Sequence, residues 1–103
     1  MIKEKIKNGM LYSICSSERI CGFDNGLNSG DFRNISEDLY RTKKGSWFIY
    51  GAGGSLTKYG KKVGNMTCGS EDFIPITDEE ARKFIEDHGD KEIYMKYFEL
   101  VEA

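Results

Sequence analysis

Four side chains of this 103-residue chain have the chemistry of metal ligands: Cys15, Cys21, Cys68 and the only histidine, His88. Three thiolates and an imidazole make a tetrahedral zinc environment. Cys21 and Cys68 are each followed by Gly, which lets backbone amides turn toward a thiolate. The spacing argues the other way, because Cys15 and Cys21 are six residues apart and no Cys-x-x-Cys pair occurs. Free thiols packed in a core are the ordinary alternative. No cofactor is therefore expected, with zinc as the exception to test. A Cys–His nucleophile could draw only on His88, which falls among acids near a predicted helix end, where a surface role or a dipole contact is the simpler reading. No spacing marks a working carboxylate pair, and an enzyme is not expected.

The stretch GSWFIYGAGGSLTKYG, residues 45–60, raises a second chemistry, phosphate binding. A phosphate loop needs Gly-x-x-x-x-Gly-Lys-Ser/Thr after a strand. Around Gly60-Lys61 the first Gly is replaced by Ser55 and the hydroxyl residue by Lys62. Gly51-Ala52-Gly53-Gly54 likewise lacks the spaced third glycine of a dinucleotide fingerprint. A sharp exit from a strand explains these glycines better, with Leu56 and Tyr59 aimed back at the domain.

Binding is the better-supported class. Arg41, Lys43, Lys44, Lys58, Lys61 and Lys62 cluster in sequence around Trp47, Tyr50 and Tyr59. Cations beside aromatics can follow a nucleic-acid backbone and stack on bases. The same pattern arises when the aromatics are core and the lysines keep a hairpin solvated. A second, acidic group comprises Asp78, Glu79, Glu80, Glu86, Asp87 and Glu92. It could meet a basic groove on another protein, or be a solvated helix face with acids near its N-terminus. Residues 1–70 carry 11 Lys/Arg against 6 Asp/Glu, whereas residues 71–103 carry 4 against 11, so the two parts differ in sign.

These groups must be carried by a small set of elements. The length fits one domain, residues 1–103. Asn8-Gly9 signals a two-residue hairpin turn, with a strand from about Met10 to Cys15 and a short partner before Asn8. The Gly-, Asn- and Ser-rich stretch from Ser16 to Phe32 reads mainly as loop. Asp38–Thr42 and Ser46–Gly51 form a central hairpin about Lys43-Lys44-Gly45. In its second strand Trp47 and Ile49 share one face, Phe48 and Tyr50 the other. KKVGNMTCGSED reads as loop, and DFIPIT as a strand that Pro75 confines to an edge. Thr77 and Glu80 spell a capping box ahead of Ala81, Phe84 and Ile85, and Gly89 ends that helix. A second helix is expected over Asp90–Val101, with Ile93, Tyr94, Tyr97, Phe98 and Val101 as its apolar stripe. The expected fold is α+β: a small antiparallel sheet with a central hairpin, backed by two C-terminal helices. No apolar run is long enough to cross a bilayer. The opening MIKEKIKNGM lacks a signal-peptide core, so a cytoplasmic location is expected.

The central block resembles a group of short proteins encoded on phages, plasmids and conjugative elements, often of gut bacteria. Their pattern maps onto Leu39, Tyr40, Arg41, Lys43, Gly45, Trp47, Phe48, Gly51, Gly53, Gly54 and Tyr59, then Ile74, Pro75, Thr77, Glu80 and Ala81. The likeness covers roughly two thirds of the chain and leaves out Cys15 and Cys21. The group has no established activity, so the resemblance implies a setting and no catalytic residues. Small acidic proteins in that setting resemble anti-CRISPR proteins in size, charge and context. The expectation is a non-enzymatic protein that inhibits a bacterial defence nuclease, a Cas9-like effector or its guide complex, by direct binding. The candidate contact residues are Arg41, Lys43, Lys44, Trp47, Tyr50, Tyr59, Asp78, Glu79, Glu86 and Asp87. The alternatives are a nucleic-acid-binding or regulatory protein acting through the basic hairpin, and a small zinc domain.

Overall fold

The central hairpin organises everything else. Strands β4 (Ile35–Arg41) and β5 (Trp47–Gly53) pair in register from Arg41↔Trp47 to Ile35↔Gly53. Their loop closes with the Thr42 amide donating to the Ser46 carbonyl at 2.8 Å, and Gly45 takes φ +89°, where a side chain would be strained. The structure is a computed structural model describing residues 4–28 and 30–101. Numbered in chain order, the remaining elements are β1 (Glu4–Lys7), β2 (Met10–Ser13), β3 (Glu18–Asp24), β6 (Lys61–Val63), β7 (Met66–Cys68), β8 (Ser70–Ile76), α1 (Asp78–His88) and α2 (Lys91–Tyr97). The main sheet has the order β3-β4-β5-β8, antiparallel throughout. The α+β architecture read from the sequence is the one observed, with Pro75 on an edge strand as expected.

Two stretches expected to be loop are strands. β3 lies within the Gly- and Asn-rich segment, and its signal is broken by a bulge between Arg19 and Cys21. The extra residue lets the consecutive Ile20 and Cys21 both enter the core against the helices. Gly22 allows a close approach to β4: a Cβ there would meet the Glu37 carbonyl at 2.9 Å and displace the Asp38 carboxylate and Arg19 guanidinium. KKVGNMTC is a small separate hairpin, β6–β7, turned by Gly64 at φ +61°. A glycine at the first central position is the requirement of a type II′ turn.

Alternation along β5 gives the sheet a core on each face. Trp47 and Ile49 pack with Leu39, Phe84, Ile85 and Tyr94 under the two helices. Phe48 and Tyr50 pack with Tyr12, Tyr40 and Phe73 on the opposite face, where β2 contributes Tyr12. Phe48, Phe73, Leu39 and Ile85 are fully buried, and each such side chain stabilises the fold by about 1.5–3 kcal/mol. Thr77 caps α1 in the expected reciprocal box with Glu80, and the Gly89 amide closes it by donating to Ile85. α2 is shorter than its apolar stripe implied. It stops at Tyr97, Phe98 is extended, and Val101 lies exposed outside the helix. Lys96 and Tyr97 pin it to β3 by donating to the Glu18 carboxylate at 3.2 and 3.0 Å.

Candidate protein-docking surface

The fold takes apart the basic–aromatic group that sequence proximity assembled. Trp47, Tyr50 and Tyr59 are 3, 9 and 5% exposed, so all three are core residues and none can stack on a partner. Large rings on a strand covered on both faces have nowhere else to go. The Arg41 guanidinium lies 4.8 Å from the Trp47 ring and 5.1 Å from the Tyr97 ring, and is committed to packing. Lys43 and Lys44 remain exposed at the hairpin tip. Lys61 and Lys62 lie beyond the other end of β5, whose seven residues put about 20 Å of extended chain between the pairs.

Most amides of the glycine corner are spent within the protein. Gly54 donates to the Asn34 carbonyl, Leu56 to Phe32, Thr57 to Gly54 and Gly60 to Thr57, at 2.8–3.1 Å. The Tyr59 amide donates to the Thr57 hydroxyl. Tyr59 folds back as expected, whereas Leu56 is exposed, because the corner is closed by backbone bonds and not by that side chain. The Tyr59 hydroxyl donates at 2.5 Å to the buried carboxylate of Glu37, which also accepts the Lys58 ammonium at 2.7 Å. Burial, reinforced by the Glu37 hydrogen bond and charge, drives the Tyr59 phenol well above its ordinary value. Tyr50, donating to Glu71 at 2.5 Å, is raised for the same reasons.

The four possible zinc ligands are not assembled. Cys15 and Cys68 are exposed and Cys21 is buried. Burial pushes the Cys21 thiol up, away from the thiolate a metal needs. His88 stacks on Phe23 with ring centres 4.0 Å apart. Among the described residues, no three His, Cys, Asp or Glu side chains form a metal-holding group.

The acidic residues fare differently. Asp78, Glu79, Glu86 and Asp87 are all exposed on α1. Glu79, Glu80 and Asp87 rim a groove of about 410 Å³ between α1 and the sheet, with Ile49, Ile76 and Phe84 among its apolar lining. Two cations sit among the acids, Arg82 at 3.8 Å from Glu79 and Lys83 at 3.7 Å from Asp87. Both pairs are long and exposed, a class worth about 0–1 kcal/mol, so a partner's cation can replace either. Glu86 faces a neighbouring cleft of mixed charge that it shares with Arg82, Asp90 and Lys91. Ile49 and Ile76 were the groove residues hardest to find from sequence. They read as ordinary strand residues, and only β5–β8 pairing brings them beneath α1.

No protein-family profile, curated protein or solved structure matches the chain. Among the described residues, no helix is long and apolar enough to cross a membrane.

Proposed function

We propose that this chain is a non-enzymatic binding protein that docks its α1 face on a basic surface of a protein partner. The observation that carries the reading is the groove: Glu79, Glu80 and Asp87 outnumber Lys83 on its rim, with Ile49, Ile76 and Phe84 within. That combination suits Lys and Arg side chains, whose aliphatic stems lie on apolar surface while their charged heads reach carboxylates. The resemblance to accessory proteins of phages, plasmids and conjugative elements supplies the setting. In it, the partner is a bacterial defence nuclease of the Cas9 type, whose positively charged channels hold the guide–target duplex. Occupying such a channel inhibits by exclusion and needs no chemistry from this chain.

The test is a Cas9-type cleavage assay titrated with the protein, beside the Glu79→Lys/Asp87→Lys variant. Inhibition by the parent, lost in the variant, supports the reading. Undiminished cleavage at large molar excess removes the nuclease as partner. Equal inhibition by the variant removes the α1 groove.

A further inference from the structure

We infer that a second surface, formed by the β6–β7 ribbon and Phe32, binds single-stranded nucleic acid. It shares no residue with the α1 groove and does not depend on the function proposed for that groove. Both strands of the ribbon face solvent along their whole length, with residues 61–69 all exposed. From Ser55 to Ser70 the sequence contains Lys58, Lys61 and Lys62 and no acid. Lys58 is held by Glu37, but Lys61 and Lys62 make no ion pair among the described residues. Their charge is available to phosphates.

Beside the ribbon runs a cleft of about 560 Å³, lined by Met66 and Cys68 of β7, by Phe32, and by Gly53 and Gly54. Phe32 is 67% exposed in a chain that sends most of its rings into two cores. Its backbone is fixed: its carbonyl accepts from the Leu56 amide at 2.8 Å and lies against Gly54, where a Cβ would collide with it. The exposed ring thus projects from a backbone anchored to the glycine corner. Arg33 stands next to it, its side chain largely exposed. The carboxylates that line the cleft have partners within the protein. Asp31 accepts the Arg33 amide at 2.8 Å and lies 3.6 Å from its guanidinium, and Glu71 accepts the Tyr50 hydroxyl.

An exposed ring, an adaptable thioether and a lining of glycines and small residues suit the flat face of a base. Flanking cations suit the phosphates on either side. A duplex hides its base faces in the stack, so the ring favours an unpaired strand. The chemistry is the one the sequence suggested for Trp47, Tyr50 and Tyr59, moved to a ring that is exposed.

Fluorescence anisotropy of a labelled oligothymidylate tests this. Binding should be seen at low salt and weaken with a log–log slope of about −0.7 per phosphate contacted. Phe32→Ala should lower affinity by about 5- to 150-fold, the range measured for stacked bases. Lys61→Glu/Lys62→Glu should abolish binding, and Lys43→Glu/Lys44→Glu should leave it unchanged. All of these positions are exposed, and a thermal melt verifies that each variant folds. No binding at low salt overturns the proposal. So does a Phe32→Ala variant that binds like the parent, or a Lys43→Glu/Lys44→Glu variant that loses as much as the ribbon variant. The α1 variant Glu79→Lys/Asp87→Lys should retain oligonucleotide binding, which separates this surface from the groove.

Discussion

The phenol of Tyr59 rests on the backbone of Gly51, so close that a Cβ at Gly51 would occupy the position of its hydroxyl and ring. This contact explains why a strand of large residues, Trp47 to Tyr50, ends abruptly in glycine. The ring needs the space, and its hydroxyl must reach Glu37. Gly51→Ala should therefore destabilise by about 1–3 kcal/mol, the usual penalty of overpacking. Urea unfolding measures it. In a Tyr59→Ala background the same substitution should cost far less, because the obstructing ring is gone. Equal costs in both backgrounds would mean that the contact does not set the glycine requirement.

Both buried phenols face carboxylates, which gives the fold an alkaline limit. The folded-state values of Tyr59 and Tyr50 are raised above the ordinary 10, by burial first and by Glu37 and Glu71 second. A raised value means that the native state keeps protons the unfolded state has lost. Their contribution is fully present below pH 10 and is lost as pH climbs from there toward the raised values. Unfolding midpoints should fall over that range. In Tyr59→Phe/Tyr50→Phe the fall should be smaller, although the variant starts from lower stability because Glu37 loses a buried partner.

At the acid end the sensitive contact is between the N-terminal hairpin and the edge strand. Lys5 and Lys7 reach Asp72 at 2.9 and 3.1 Å. Burial works to raise the Asp72 carboxyl, but hydrogen bonds from both lysines and from the Phe73 amide outweigh it and hold the value below the ordinary 3.8. The sign is opposite to that of the tyrosines. This contribution is present above pH 3.8 and disappears as pH falls through the lowered value. Protection factors of the β1–β2 amides, each rate taken relative to its intrinsic rate at the same pH, should therefore fall below pH 3.8 in the parent. In Asp72→Asn they should already be low at neutral pH and change little over the same range.

The sequence was most readable where one local rule decides the outcome. Asn8-Gly9, Gly45, Pro75 and the Thr77–Glu80 box each took the role their chemistry predicts, because turns, edges and caps are set within four residues. β3 was hidden because its bulge and Gly22 depend on residues of β4, which no local pattern reveals. β6–β7 did carry a signal, Gly64-Asn65 between two three-residue runs, outweighed by the polar look of its surroundings. The α1 acids could be listed from sequence, but the apolar side of their groove requires the β5–β8 register. The basic cluster failed for a geometric reason. Neighbours in sequence along a strand and its exit end a strand's length apart in space.

Arg41 and the adjacent Lys43 and Lys44 provide a last, discriminating comparison. All three were grouped as binding cations, yet the Arg41 guanidinium packs against the rings of both Trp47 and Tyr97, while the two lysines are exposed at the hairpin tip. Arg41→Ala should destabilise by about 0.5–2 kcal/mol through the lost cation–π contacts. It should also raise acrylamide quenching of Trp47, the chain's single tryptophan, which is 3% exposed in the parent. Lys43→Glu/Lys44→Glu should change stability by no more than about 0.5 kcal/mol, as surface substitutions do, and leave quenching at the parent level. If the lysine variant opened Trp47 to quencher and the Arg41 variant did not, the roles assigned to these neighbouring cations would have to be exchanged.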